Sequence, residues 1–203
     1  MSRKEHWEKV YATKSDQDVG WYQRIPETSL KLILKYTDSK DMAIVDAGGG
    51  NSHLSARLFD CGYTNLTILD ISRNALIRSK NRFKTESKKI HFIETDILDF
   101  VFDKPFDMWH DRAVFHFLTD ADEITRYAQV AYDNIIQGGY LILGSFSVTG
   151  PKSCSGLPIT QYDQEKLNRV FHDQFDLVEC FEDAHTTPSG NSQNFIWSVF
   201  KKN

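Results

Sequence analysis

Residues 42–50 read MAIVDAGGG, a short apolar run that ends in an acid and three glycines. An apolar run of this length that stops at glycines predicts a buried strand followed by a tight turn. Apolar strands and helical patterns then alternate through most of the chain, which favours a parallel β-sheet with crossover helices. We therefore expect an α/β fold with a glycine loop between its first strand and the next helix.

The same patterning predicts the remaining elements. Strands are expected at 42–46, 65–70, 89–94, 106–110 and 140–146. Helices are expected at 52–60, at 73–84, and from Asp120 to about Gln137, where Gly138 and Gly139 are predicted to end the helix. Segment 147–161, rich in Gly, Pro and Ser, is predicted to be a loop. Two closing strands are expected at 175–183 and 194–201.

The length of 203 residues predicts one domain, 1–203. Within it we expect an N-terminal helical cap over 1–40 and a nucleoside-binding core over 41–146. Residues 147–203 are expected to form a loop, a helix and antiparallel strands on the acceptor side.

Charge and composition exclude several classes of protein. The formal net charge is −4 with no long run of Lys or Arg, which argues against a protein that coats duplex nucleic acid. Three widely spaced cysteines suggest neither a disulfide framework nor a zinc site, and no other metal is implied. No apolar stretch approaches a membrane span and the N-terminus lacks a signal-like core, so we expect a cytoplasmic protein.

The acid that precedes the glycines indicates which ligand the loop holds. A dinucleotide would bring a pyrophosphate anion to this loop, and the Asp46 carboxylate would repel it. A dinucleotide loop also favours glycine at the position of His53. S-adenosylmethionine (SAM) instead brings an ammonium and a sulfonium, which a carboxylate suits. Asp46 and His53 therefore favour SAM over NAD, although a purely structural turn is the simpler alternative for three glycines.

Two further acids follow the next two strands. Asp70 closes the second predicted strand, where a carboxylate can accept hydrogen bonds from both ribose hydroxyls. Asp96 follows the third, where it can accept from an adenine amine with Ile97 beside the ring. The carboxyl ends of parallel strands meet at the edge where open α/β sheets bind ligands. An aspartate that caps a helix or lies in a loop is the alternative at each position.

Five segments together resemble class I SAM-dependent methyltransferases: VDAGGGNS, ILDIS, ETDILDF, FDMWHDRAVFHFL and GGYLILGSF. The resemblance covers about 42–146, and the closing strands match in kind. It implies a Rossmann-like, mostly parallel seven-stranded sheet with helices on both faces and an antiparallel last strand. Ser52 stands where the family often has a last glycine.

The resemblance also implies a SAM site, with S-adenosyl-L-homocysteine (SAH) as product. It assigns Asp46, Gly48 and Gly50 to the methionine end, Asp70 to the ribose, and Asp96 with Ile97 to the adenine. Trp21 is expected as a lid over the cofactor. The predicted cofactor-binding set is Trp21, Asp46, Gly48, Gly49, Gly50, Asp70, Ile71, Asp96, Ile97 and His110.

The segment after the fourth strand holds the candidates for the acceptor side. Trp109, His110, Asp111, Arg112, Phe115 and His116 combine bases, a carboxylate, a guanidinium and aromatic rings within eight residues. We predict that His110, Asp111, Arg112 and His116 act in catalysis by positioning the acceptor or removing its proton. In the alternative interpretation, Asp111 and Arg112 form a structural ion pair and the aromatic residues lie in the core. Cys154 either borders the pocket or is an ordinary loop cysteine.

Two kinds of acceptor remain open. WHDR lacks the motifs of nucleic-acid base methyltransferases, and DRAVFHFL resembles a stretch of thiopurine- and tellurite-type small-molecule enzymes. HWEKVY and DVGWYQ resemble the opening of certain protein-lysine methyltransferases, in which Trp21, Tyr22, Trp109 and Asp111 would form an aromatic, acidic channel. We expect a small-molecule acceptor, with a soft nucleophile such as a thiol as one option. A protein-lysine substrate is the alternative, and a silent SAM-binding module is the third possibility.

Overall fold

The computed structural model describes residues 1–203, and its centre is one seven-stranded sheet. The strands in chain order are β1 (Ile44–Ala47), β2 (Leu66–Asp70), β3 (Ile90–Glu94), β4 (Phe106–Arg112), β5 (Ile135–Phe146), the short hairpin β6 (Ser153–Cys154) and β7 (Leu157–Pro158), β8 (Phe175–Thr186) and β9 (Ser192–Lys202). The sheet order is β3-β2-β1-β4-β5-β9-β8, and the hairpin lies outside it. β9 is antiparallel to both of its neighbours while the other pairs are parallel. This arrangement confirms the predicted fold class.

Six helices flank the sheet: α1 (Arg3–Thr13), α2 (Glu27–Tyr36), α3 (Leu54–Asp60), α4 (Arg73–Phe83), α5 (Ala121–Asn134) and α6 (Gln164–Phe171). Polar side chains begin several of them, as in soluble helices generally. Ser2 forms a capping box with Glu5, the Ser72 hydroxyl accepts from the amide of Ala75, and Asp120 accepts from the first amides of α5. No helix is both long and apolar enough to cross a membrane.

The core divides into two layers because successive side chains of a strand point to opposite faces. Along β4, Met108 packs into the layer that contains Leu32 of α2 and Ile142 of β5. Trp109 packs into the other layer, with Tyr127 of α5 and Phe171 of α6. The same alternation sends the His110 and Asp111 side chains to different sides of the sheet. Strand parity therefore separates the surroundings of His110 from those of Asp111.

Two local predictions were wrong. The helix expected to reach Gln137 ends at Asn134, and Gly138 and Gly139 lie inside β5, which begins at Ile135. The β-branched pair Ile135–Ile136 favours a strand, and Ile135 pairs with Phe106 of β4. The predicted loop 147–161 also contains the β6–β7 hairpin.

Candidate active site

A cavity with about 770 Å³ of empty space lies at the carboxyl ends of the central strands. Strand ends, the segment after β4, the hairpin and the N-terminal region all contribute to its wall. The lining residues are Arg3, Trp7, Tyr11, Trp21, Gly48, Leu69, Asp70, Ile71, Thr95, Asp96, Ile97, Arg112, Ala113, Val114, Phe117, Leu118 and Cys154. The mainly apolar lining with a few polar groups is typical of a small-molecule site.

The glycine loop after β1 brings backbone close to the neighbouring elements. Gly48 has a φ of +66°, and a side chain there would overlap Val114. Gly50 has a φ of +37°, and an added Cβ would lie 2.5 Å from Oδ2 of Asp70. Glycine is required at both positions by conformation and by space. The loop therefore forms a cradle that only bare backbone allows, as the sequence predicted for a cofactor loop.

Asp70 at the end of β2 is a buried acid that points at this cradle. The backbone N–H of Ser72 donates to its Oδ1 at 2.7 Å, and Oδ2 lies toward Gly50. Burial raises the pKa of Asp70 to about 7, and the nearby Asp46 and Glu8 carboxylates add to the effect. A buried carboxylate in this position favours ligand hydroxyls that donate hydrogen bonds to it, which fits a ribose.

Asp96 lies next along the same edge and is held by a residue that the sequence analysis did not select. Its Oδ1 accepts from the amide of Leu98 at 3.0 Å, and its Oδ2 accepts from Nη1 of Arg3 at 3.2 Å. Nη2 of Arg3 reaches both carboxylate oxygens of Glu123, at 2.7 and 2.8 Å. Ile97 lines the cavity beside Asp96. The Ser2–Glu5 capping-box pattern signals the helix that carries Arg3, but nothing in the sequence signals its partner.

The aromatic residues Trp7, Tyr11 and Trp21 of the N-terminal region form one wall of the cavity, which we call the roof. The Trp7 ring lies 5.7 Å from Trp21 and 5.1 Å from Phe117, and Tyr11 lies 6.2 Å from Trp21, all centroid to centroid. Trp21 was predicted as a lid, and it lines the cavity. Trp7 and Tyr11 also line it, although they were not among the predicted site residues.

Glu8 attaches helix α1, which carries Trp7 and Tyr11, to the start of helix α4. Its carboxylate accepts from the backbone N–H groups of Arg73 and Asn74, at 2.6 and 3.2 Å, and from the Ser72 hydroxyl at 3.3 Å. These donors form the start of α4, where free amides and the helix dipole favour an acid. Helix α1 is thereby tied to the helix that follows Asp70.

Asp46 and His110 lie behind the glycine loop. They are direct neighbours in the pairing of β1 with β4, and Nδ1 of His110 lies 2.9 Å from Oδ1 of Asp46. Nε2 of the same ring lies 2.9 Å from the Ser29 hydroxyl of α2. All three are buried, and none lines the cavity. The structure therefore brings Asp46 and His110 together but places neither in contact with the cavity.

The Asp111 side chain points to the face of the sheet opposite that of His110 and is buried in the core. Tyr127 donates to its Oδ2 at 2.7 Å, and the amides of Val114 and Phe115 donate to its Oδ1 at 3.0 and 3.4 Å. Nε1 of Trp109 donates to the Tyr127 hydroxyl at 3.2 Å. Burial raises the pKa of Asp111 to about 6. In the lysine alternative Trp109 and Asp111 would line a channel, but in the structure both side chains are buried against Tyr127 of α5 and neither lines the cavity.

His116 is also buried behind the cavity. Its ring stacks on Phe146 at 4.5 Å, and its Nδ1 accepts from the Phe146 amide at 3.3 Å. Burial, with a smaller contribution from Arg112, lowers the pKa of His116 to about 3, so the ring is neutral. Of the four residues predicted as catalytic, Arg112 alone lines the cavity.

Arg112 is the last residue of β4 and lines the same cavity as Asp70 and Asp96. Its Nη1 donates to the backbone carbonyl of Trp21 at 2.9 Å, and its guanidinium lies 5.3 Å from the centre of the Phe195 ring. Burial lowers the pKa of Arg112 to about 10, so the group stays cationic at neutral pH. Cys154 of the hairpin lines the cavity as well.

Comparison with known proteins gives one family match. The model of a family described as "Methyltransferase domain" matches residues 38–185. Among curated relatives, the mouse eEF1A lysine and N-terminal methyltransferase is 29% identical over 60% of this chain, and the chain spans only 17% of that relative's length. The Danio rerio EEF1A lysine methyltransferase 2 is 27% identical over 100% of this chain and 88% of its own length.

Solved structures share the fold. One, described under the conversion of a disulfide bond into a thioacetal group during echinomycin biosynthesis, has a TM-score of 0.82. Its sequence identity is 18%, and the superposition covers 98% of this chain and 93% of that one.

Proposed function

The chain belongs to the methyltransferase-domain family of class I SAM-dependent enzymes, and we propose that it methylates a small molecule. SAM, with SAH as its product, is the cofactor of this family. We infer the chemical class of the acceptor from the residues that line the cavity.

The cofactor half of the cavity fits an adenosine. Asp70 would accept from the ribose hydroxyls and Asp96 would accept from the adenine amine, while Ile71 and Ile97 would pack on the nucleoside. The Gly48–Gly50 backbone would take the segment that carries the sulfur. Bound SAM supplies an activated methyl group on a sulfonium, so the chain has to orient the acceptor and exclude water.

The observation that carries the proposal is the composition of the acceptor half. Apart from the two acids, the cavity is lined mostly by aromatic and aliphatic side chains, among them Trp7, Phe117 and Leu118, and it contains the Arg112 cation. The carboxylates that line the cavity, Asp70 and Asp96, both belong to the cofactor half. A lysine ammonium would meet a cation there and no acid that could hold it. An uncharged or anionic small molecule suits this half better.

The absence of a base in the acceptor half narrows the reaction further. His110, Asp111 and His116 all lie behind the cavity wall, so none contacts a bound acceptor in this geometry. An acceptor that is already ionised or intrinsically nucleophilic, such as a thiolate, needs no general base. We therefore favour a soft nucleophile as the methylated atom.

A protein-lysine acceptor is the second candidate, and one observation favours it. The zebrafish relative named for lysine methylation aligns over the whole of this chain and most of its own length. An identity of 27% leaves the acceptor of this chain open. In this case a lysine would enter beneath Trp7 and Trp21 as a neutral amine.

Methyl-labelled SAM added to a cell lysate separates these proposals. After incubation with the enzyme, the lysate is divided by size into macromolecules and small molecules. The small-molecule proposal predicts label in the small or volatile fraction. Label retained on protein would favour the lysine candidate, and no transfer to either fraction would favour a silent module.

Two variants make this result specific. Asp70→Asn removes the proposed ribose acceptor and should lower labelling about tenfold or more at SAM concentrations below the wild-type Kd. Asp99→Asn changes an exposed acid that pairs with Arg126 and should label like the wild type. Label that is undiminished in Asp70→Asn under these conditions would point to a contaminating enzyme.

We further propose that residues 1–203 work as one methyltransferase domain, with 1–40 as the cap, 41–146 as the SAM-binding core and 147–203 as the acceptor side. The cap residues Trp7, Tyr11 and Trp21 and the hairpin residue Cys154 support this division, since all of them line the cavity. The three free cysteines fit the cytoplasm, which we retain as the proposed compartment.

A further inference from the structure

Arg112 is a cation with an incomplete set of partners. Nη1 donates to the carbonyl of Trp21, but the buried Nη2 has no hydrogen-bond partner in the protein. No carboxylate lies within ion-pair distance of the guanidinium, although nine other Lys and Arg side chains each pair with an acid. A buried cation without an anion is costly, so unpaired groups of this kind indicate a missing ligand.

The groups around Arg112 do not neutralise it. The Asp46 carboxylate is the acid that acts on it most strongly, but it is engaged by His110. Burial, together with this guanidinium, lowers the pKa values of His116 and His185, so those rings are uncharged neighbours. Burial raises the pKa of the Cys154 thiol, which is therefore neutral as well. The charge of Arg112 is left for whatever enters the cavity.

The guanidinium is also held in one orientation. Its hydrogen bond to Trp21 fixes one nitrogen, and the Phe195 ring supports the plane. Because a planar guanidinium presents its donors in a fixed fork, an arginine fixed in this way binds a carboxylate with defined geometry. Lysine would keep the charge but lose the fork.

We propose that Arg112 is the binding site for a carboxylate group in the loaded enzyme. This inference rests on the proposed function, and it names an anionic class of ligand for the same cavity. Two sources can supply the carboxylate. One is an acid group on the small-molecule acceptor, because Arg112 lines the main cavity and is not paired with either of its two acids. The other is the amino-acid end of the cofactor, because Arg112 also lines an adjoining polar cavity beside Asn51 and Ser52 of the glycine loop.

Calorimetric titrations of wild type, Arg112→Gln and Arg112→Lys test the proposal. The cofactor probes are SAH, which carries the carboxylate, and 5′-methylthioadenosine, which lacks it. The acceptor probes, added to SAH-saturated protein, are benzoate and its cationic counterpart benzylamine. Arg126→Gln, which changes an exposed arginine that does not line the cavity, is the matched control.

Either source gives its own pattern. If the acceptor supplies the carboxylate, wild type binds benzoate more tightly than benzylamine. Arg112→Gln then weakens benzoate at least tenfold while the Kd of SAH changes less than twofold. If the cofactor supplies it, Arg112→Gln weakens SAH at least tenfold and leaves methylthioadenosine unchanged. In both cases Arg112→Lys recovers only part of the loss, and Arg126→Gln behaves like wild type.

The inference is overturned if neither pattern appears. In that result Arg112→Gln leaves the affinity for benzoate unchanged, and its affinities for SAH and methylthioadenosine are either unchanged or reduced equally. Should Arg112→Gln fail to fold, Arg112→Lys decides, and affinities equal to wild type would count against a fork-specific site. Failure of wild type to bind SAH at all would instead contradict the proposed function.

Discussion

The two halves of the cavity are built in different ways. The proposed cofactor half is largely local: Asp70 ends β2, Asp96 lies just after β3, and nearby backbone amides of Ser72 and Leu98 orient them. The acceptor half is assembled from distant segments, with Trp7 and Trp21 from the cap, Phe117 after β4 and Cys154 from the hairpin. A site made by strand ends can be inferred from a short stretch of sequence. The residues of a site made by loops and a cap can be identified only when the three-dimensional structure is known.

The largest expected effect tests whether Asp111 belongs to the core or to the acceptor half. Asp111→Ala would leave the Tyr127 hydroxyl and two backbone amides without their acceptor. We expect a loss of about 3 kcal/mol in the free energy of unfolding, because each buried group left unpaired is costly. Urea unfolding at pH 7.5 measures it.

Asp99→Ala is the control, since Asp99 is a mostly exposed acid paired with Arg126, and exposed pairs contribute little. The division between the halves fails if Asp111→Ala unfolds like wild type but no longer transfers methyl groups. That result would return Asp111 to the acceptor half.

The second test concerns the charge of Asp70. In the folded protein its pKa is about 7 against an ordinary value of 3.8, so it must ionise to accept both ribose hydroxyls. SAH should therefore bind about tenfold more weakly at pH 6 than at pH 7.5. Titrations across this range measure it, and Asp70→Asn, which has no carboxyl to ionise, should bind weakly with little pH dependence.

The raised pKa of Asp70 also makes the stability of the ligand-free protein fall, rather than rise, with pH. Between pH 3.8 and 7 the folded state holds a proton on Asp70 that the unfolded state has released, so this group makes the protein less stable as the pH rises. Asp70→Asn should flatten that slope in unfolding curves from pH 5 to 7.5. A wild-type slope retained in the variant would assign the effect to another group.

The smallest expected effect concerns the attachment of the roof. Glu8→Gln replaces the carboxylate that holds the start of α4, which should cost about 1 kcal/mol of stability. We expect SAH to bind severalfold more weakly, because the roof of Trp7 and Tyr11 loosens. Glu165→Gln, a change in an exposed pair with Arg169, should alter neither quantity. A roof that matters only to the acceptor would leave the SAH affinity unchanged.

The sequence predicted most of the fold for physical reasons that are local. The strands are short apolar runs, and the elements begin near polar caps such as Ser72 and Asp120. The end of α5 was misplaced because Gly138 and Gly139 suggested a helix end, whereas the β-branched residues before them start a strand. The glycine turn at Gly48 and Gly50 was predicted because left-handed backbone conformations favour glycine, and glycines can be seen in the sequence.

The acceptor side was predicted less well because sequence spacing does not reveal which face of β4 each residue occupies. Neighbouring residues were grouped as one cluster, but strand parity sends His110 toward Ser29 of α2 and Asp111 toward Tyr127 of α5. Arg3 and Tyr11 were missed for a related reason. Asp96, the partner of Arg3, and the strand ends that share the cavity with Tyr11 lie far along the chain, and a polar or aromatic residue on a helix carries no sign of them.

The most direct test of the division between the two halves is a calorimetric titration of SAH into Asp70→Asn and Asp111→Asn beside wild type. Asp70→Asn should weaken SAH by tenfold or more, since charged hydrogen bonds to the ribose are lost. Asp111→Asn, as long as it is folded, should bind within about threefold of wild type. The reverse order of affinities would contradict this account and place Asp111, rather than Asp70, against the cofactor.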